Sequence, residues 1–281
     1  MPESNRRSIL CPNCRKLISV DEPRCPYCGT ARPGSWWKNN PWTRTLGQTD
    51  SPIRIIIYTN IALYVVSILF NQWSPGVSIN PFGFFNPNNQ SLLFLGATGT
   101  IPIDRFGRWW TLVSAGFLHG NLLHIFFNMV AFRQLAYLMI QIFGTYRLLI
   151  VYLVSGVIGF HVSYLAGVPF TIGASASICG MIGAVLYYGK SRGGAFGQAI
   201  YKQVGLWAAA IFIFGMLVPG INNWGHAGGF LAGILLGFIL GYEEKGRETI
   251  THKSIAGLCT IVTAAILCWA VFSGVYYRFL G

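Results

Sequence analysis

The chain has 281 residues, 53% of them hydrophobic and only 10% charged, with a net charge of +12. Soluble domains carry about 25% charged residues, so an ordinary soluble enzyme is excluded and a polytopic membrane protein is indicated. The positive charge is spread over segments that flank apolar runs, which argues against a nucleic-acid partner.

Residues 1–52 are polar, and no signal peptide is read at the start. Cys11, Cys14, Cys25 and Cys28 form two CxxC pairs in "CPNCRKLISVDEPRCPYCG". A CxxC turn lets two thiolates bind one ion, and four thiolates give the closed tetrahedral shell of structural zinc. Two disulfides would use the same cysteines, but they conflict with the cytoplasmic placement derived below. A segment this short has too little core to fold without metal. Residues 1–32 are therefore expected to form a zinc ribbon with no open position for catalysis, and 33–52 a linker. In the linker, Trp36, Trp37 and Trp42 beside Lys38 and Arg44 suit a membrane interface, and equally a plain tether.

A spanning helix needs roughly 20 mostly apolar residues. Seven candidates follow in order: 53–71, 118–140, 147–167, 173–189, 203–219, 224–241 and 254–276. None contains an acidic residue. Segment 1–54 carries nine Lys and Arg, and the loops 190–202 and 242–253 add Lys190, Arg192, Lys202, Lys245, Arg247 and Lys253. Arg105, Arg108 and Arg278 fall on the other side. The positive-inside rule places the N-terminus in the cytoplasm. Arg133, about 22 Å along the second helix at 1.5 Å per residue, is expected to snorkel toward cytoplasmic headgroups.

Polar groups within the spans are costly and point to function. In "FLHGNLLHIFFNMVAF", His124 and Asn128 are four apart and share a face, with His119 one turn nearer the outer end. In "NNWGHAGGFLAGILLGFILG", Gly229, Gly233, Gly237 and Gly241 recur every fourth residue, a ridge that admits a neighbouring helix, and His226 lies on nearly the same face. In "TIGASASICGMIGA", Ser175, Cys179 and Gly183 make a matching strip of small residues. Even-numbered helices run from outside to inside, so Ser175, His226, His124 and Asn128 are expected at one depth, in the outer third of the membrane. A hydroxyl, an imidazole that can take its proton and two further donors are the parts needed for acyl transfer. The only acid on the outer side of the core is Asp104 in the first outer loop, so the pattern argues for a Ser–His dyad. Singly, a Ser or Gly here reads as packing and a His as a structural hydrogen bond or proton relay.

"HGNLLHIFFN", "GASASICGMIGA" and "GHAGGFLAG" resemble, in order, the signature motifs of the rhomboid intramembrane serine proteases, and the resemblance covers about residues 53–241. It implies an all-α polytopic membrane protein: a six-helix rhomboid core over 53–241, then a cytoplasmic loop and a seventh C-terminal transmembrane helix over 242–281. It implies Ser175 as nucleophile, because that serine stands five residues before Gly180 and eight before Gly183, spacings that Ser177 does not meet. Ser177 is then a packing residue. It further implies His226 as general base, His124 and Asn128 as oxyanion donors beside the backbone N–H of Ser175, and His119 as cavity support. No cofactor is implied for catalysis.

The implied reaction is hydrolysis of a peptide bond in or near the transmembrane segment of a membrane protein, with single-span substrates, small residues at the cleaved bond and helix-destabilising residues beyond it. The implied setting is a bacterial plasma membrane, with a cytoplasmic partner for the ribbon. Ala176 replaces the usual Gly after the nucleophile and is expected to narrow the pocket. Cys179 stands where an aromatic commonly packs on the histidine. Thr111 and Ile140 occupy positions where an Arg and a Glu are common. Two other readings remain at this level: a non-proteolytic rhomboid-like protein that binds client spans, and a transporter using His119, His124 and His226 as a relay.

Overall fold

The computed structural model describes residues 8–11, 16–35, 51–71, 85–218 and 220–279. Cys14 of the expected ligand set, and Trp36, Trp37, Lys38, Trp42 and Arg44 of the linker, lie outside the described residues. Two compact units make up the chain, residues 1–55 and 56–281.

In the first unit, β1 (Ser8–Leu10) pairs antiparallel with β2 (Leu17–Ser19), Ile9 opposite Ile18. Its small core is Cys11, Ile18 and Cys25, with Ile9 packed on it. So few apolar residues make a core below the size that folds unaided.

The second unit is helical. α1 (Ser51–Leu69) precedes a loop region with three short helices, α2 (Asn89–Phe94), α3 (Thr100–Phe106) and α4 (Thr111–Ser114), and a 3₁₀ turn over Ala115–Phe117. Six long helices follow: α5 (Leu122–Phe143), α6 (Thr145–Leu165), α7 (Ser175–Arg192), α8 (Gly194–Leu217), α9 (Asn223–Leu240) and α10 (Ile250–Phe279). The seven long helices fall on the seven expected spans. All but α7 are long and apolar enough to cross a membrane. α7 falls short because it carries Lys190 and Arg192 in its last turn and small residues through its middle. It needs no lipid-facing apolar surface, since α5, α6, α8 and α9 all pack on it. α8 starts nine residues before the expected 203, because the stretch 194–202, less apolar and carrying Gln198 and Lys202, continues the helix beyond the apolar run.

Start signals are side-chain caps. Asn88, Asn121 and Asn222 each accept a backbone N–H from the first turn of α2, α5 and α9. The expected ridge is present in α9. A Cβ on Gly229 would fall 2.1 Å from the Ala176 carbonyl oxygen, and one on Gly233 would fall 1.8 Å from that of Gly180. The facing strip on α7 shares Gly183 with the expected Ser175–Cys179–Gly183, a Cβ there falling 2.1 Å from the Phe230 carbonyl oxygen, but its other members are Ala176, Gly180 and Ala184, which Gly237 approaches. Gly241 ends the helix at φ +64°, and a Cβ there would meet nothing within 4 Å, so the ridge stops at Gly237. Ala176 is buried against Gly159 and Gly229, so it seats the helix contact, and the expected narrowing of the pocket has no basis in its position.

At the other end of the bundle, Arg147 is buried, 3% exposed. Its guanidinium donates to the carbonyls of Phe143 (3.1 Å) and Gly246 (2.8 Å) and pairs with Glu243 at 3.3 Å. Glu248 accepts the N–H groups of Tyr146 (2.6 Å) and Arg147 (2.8 Å), two donors that the start of α6 leaves without helical partners. These bonds fasten the loop before α10 to the core. α10 buries Ala256, Thr263, Ala270, Ser273 and Gly274 and packs on α6, α2 and α4. Arg133 is on the outside of α5, its guanidinium 5.9 Å from the centre of the Tyr137 ring one turn further along.

Candidate active site

Ser175 is the first residue of α7, His124 the third of α5 and His226 the fourth of α9. At 1.5 Å per residue each lies within about 5 Å of its helix start, so one end of the bundle gathers all three. The segment before Ser175 is held by the loop region between α1 and α5. Thr171 and Thr98 exchange backbone hydrogen bonds (3.1 and 2.7 Å), and Gly173 N–H donates to the Ala115 carbonyl at 2.9 Å.

His226 Nε2 lies 2.9 Å from Ser175 Oγ. This places an imidazole nitrogen where it can take the hydroxyl proton as the oxygen attacks a carbonyl. Ser175 is half-buried, within reach of a substrate, whereas Ser177 is buried with its Oγ 2.2 Å from the point a Cβ on Gly156 would occupy. Ser177 therefore packs α7 on α6. His226 Nδ1 has no hydrogen-bond partner among the described residues. Asp104 accepts from the Tyr164 hydroxyl at 2.9 Å instead, so among the described residues no carboxylate completes a triad. The aromatic that meets His226 is Phe212 of α8, edge-on with ring centroids 6.5 Å apart. Cys179 is buried.

His124 borders the same space. Gly173, at φ +120°, holds a backbone conformation that favours glycine, and a Cβ there would lie 2.7 Å from His124 Nε2 and 3.8 Å from Ser175 Oγ. Only a residue without a side chain lets that imidazole stand over the approach to Ser175. The Nδ1 of His124 accepts from Gly120 N–H at 3.5 Å, which leaves Nε2 to carry the proton. The N–H groups of Ser175, Ala176 and Ser177 precede the first bond into α7, from Ile178 N–H to the Ala174 carbonyl (3.0 Å), and point out of the helix start. Asn128 donates its amide to the His124 carbonyl at 2.8 Å, one turn deeper along α5. His119 is fully buried and packs edge-on against the His124 ring, centroids 5.0 Å apart.

Asn222 and Thr171 were not assigned a role from sequence. Asn222 caps α9 through its Oδ1 (Gly225 N–H, 3.0 Å), while its Nδ2 donates to Ser163 Oγ (2.7 Å) and Thr171 Oγ1 (2.9 Å). An Asn just before an apolar helical run is a start signal, and that signal was present in "NNWGH".

In the N-terminal unit the sulfurs of Cys11, Cys25 and Cys28 lie within 4.8 Å of one another. Cys11 and Cys28 are 3.7 Å apart. Thiolates about 2.3 Å from one zinc in a tetrahedron stand about 3.8 Å apart. The donor set and spacing therefore fit a zinc ion.

Residues 106–243 match the Rhomboid domain model. The chain is 30% identical over 159 residues to the Rhomboid protease GluP of Bacillus subtilis, covering 57% of this chain and 31% of that protein. It is 31% identical over 187 residues to RHOMBOID-like protein 6, mitochondrial, of Arabidopsis thaliana, covering 63% and 58%. With RHOMBOID-like protein 4 of the same plant it shares 27% over 205 residues, covering 67% and 52%. The chain thus spans between about a third and three fifths of the length of these relatives. The matched segment contains the paired serine and histidine and the glycine ridge that brings them together, and the chain carries a Rhomboid domain over residues 106–243.

Proposed function

We propose that the protein is an intramembrane serine endopeptidase that cleaves membrane-protein substrates, with Ser175 as nucleophile and His226 as general base. The observation that carries this reading is the 2.9 Å approach of His226 Nε2 to Ser175 Oγ. His226 takes the Ser175 proton as Oγ bonds to the scissile carbonyl carbon. Negative charge collects on the carbonyl oxygen, facing the N–H groups at the start of α7 and His124 Nε2. His226 then returns the proton to the leaving amine, the C–N bond breaks, and an acyl-enzyme remains. Water, deprotonated by His226, releases it. Asn128 joins as a donor once its amide turns from the His124 carbonyl.

The substrates proposed are single-span segments with small residues at the cleaved bond. They must unwind locally, because a helix hides its carbonyls in internal hydrogen bonds. The core over residues 53–241 lies in the bilayer, with the N-terminus in the cytoplasm; the Lys and Arg distribution supports this. A bacterial plasma membrane is proposed as its setting, supported by the Bacillus subtilis relative beside the plant ones. Cys11, Cys14, Cys25 and Cys28 hold a structural zinc that orders a ribbon over residues 1–32, which serves as a docking module for a cytoplasmic partner.

Labelling the purified protein with a fluorophosphonate probe tests the reading. Labelling of the parent that vanishes in Ser175→Ala supports it, and equal labelling of both overturns it. An unlabelled parent that still binds a transmembrane peptide indicates a non-proteolytic rhomboid-like binder instead.

A further inference from the structure

We propose that Asn222 is a positioning residue for the Ser175–His226 pair, fixing the start of α9 to the segment that delivers Ser175. Its carboxamide is fully used. Oδ1 accepts the Gly225 N–H (3.0 Å), and the two Nδ2 protons go to Ser163 Oγ on α6 (2.7 Å) and Thr171 Oγ1 (2.9 Å). Thr171 lies four residues before Ser175, and Asn222 four residues before His226. The Asn222 carbonyl also accepts the His226 N–H at 3.2 Å. One side chain therefore spans the two short stretches whose far ends are the nucleophile and the base.

Both acceptors are themselves fixed. Ser163 is fully buried and donates its own proton to the Gly159 carbonyl at 3.0 Å. Thr171 is buried and bridged through its backbone to Thr98, whose hydroxyl accepts from Thr111 Oγ1 at 3.0 Å. The polar path runs from the loop region between α1 and α5 to the first turn of α9. The glycine contacts of α7 and α9 set how closely the helices approach, but as steric contacts they fix direction less sharply than a hydrogen bond does. The directional bonds of Asn222 fix that direction at the end where the chemistry occurs. A 1 Å misplacement of a catalytic group costs on the order of a hundred-fold in rate.

The inference rests on the protease reading above. Its test uses the full chain in detergent with a model transmembrane substrate. Asn222→Ser keeps an equally good helix cap but is too short to reach Ser163 and Thr171. Thr171→Val removes one acceptor and leaves the cap intact. We expect kcat per folded molecule to fall about ten- to a hundred-fold in Asn222→Ser, with KM within about twofold and the fluorophosphonate labelling rate of Ser175 falling in parallel. Adding Thr171→Val to Asn222→Ser should cost much less than it does alone, because the shared bond is already gone. Parent-like kcat and labelling in Asn222→Ser, or a loss that only tracks the unfolded fraction, overturns the proposal while leaving the protease reading intact. A parent that neither cleaves nor labels overturns the protease reading, and the positioning role with it.

Discussion

Ser175 Oγ and His226 Nε2 stand 2.9 Å apart although 51 positions separate them, and the backbone beside them sets that distance. Gly229 lies against the Ala176 carbonyl so closely that a Cβ would sit 2.1 Å from it. Any side chain there would push α9 off α7 and carry the imidazole away from the hydroxyl.

The two serines of the motif should separate cleanly. Ser175→Ala is expected to abolish cleavage of a model transmembrane substrate, while Ser177→Ala retains most of it. Ser177 is buried against Gly156, so its loss should appear as a modest fall in melting temperature. Loss of activity only in Ser177→Ala would reverse the assignment.

For the oxyanion donors the magnitudes decide. Removing one preorganised donor costs about 100- to 1,000-fold in rate, or roughly 3–4 kcal/mol, whereas removing the nucleophile leaves essentially no turnover. His124→Ala should therefore be slow but measurable, with KM little changed. Asn128→Ala should lose less, since its amide is bonded to the His124 carbonyl and must turn to reach the substrate. Turnover and melting temperature measured on the same preparations check this. Parent rates with earlier melting in both variants would make the two residues helix bridges only.

The N-terminal unit should carry one zinc per chain, read by metal analysis of the intact protein; iron or no metal would refute this. A chain starting near residue 45 should still cleave in detergent, because the cysteines are remote in sequence from Ser175 and His226. Ser replacement of Cys25, which is buried, should release the metal and unfold the unit, with the core still active.

Gly233→Ala would place a Cβ 1.8 Å from the Gly180 carbonyl oxygen. Backbone cannot rotate aside as a side chain does, so α7 and α9 must part. Overpacking of this kind costs about 1–3 kcal/mol, and here activity should fall further than stability does, because the same contact aligns the dyad. Gly257→Ala in α10, where a Cβ meets nothing within 4 Å, serves as the control and should be neutral or slightly stabilising. Equal melting temperatures and equal activity in the two variants would show that the ridge tolerates separation.

Resemblance to the rhomboid motifs singled out Ser175; the sequence by itself determined the membrane class and the positions of the seven long helices. These follow from local causes: an apolar run long enough to span, asparagine caps at helix starts, and glycine at every fourth position. It also carried the CxxC pairs, because metal spacing is read within a few residues. Tertiary structure decided what depends on rotation and meeting. The small-residue strip facing Gly229 and Gly233 is Ala176 and Gly180 rather than Ser175 and Cys179, a turn about the helix axis that periodicity leaves open. Phe212 meets His226 from α8, and no local signal joins residues on different helices. Asn222 reaches Ser163 and Thr171, 59 and 51 positions away. A cap is legible from its neighbours, but the partners of its remaining donors exist only once the helices have packed.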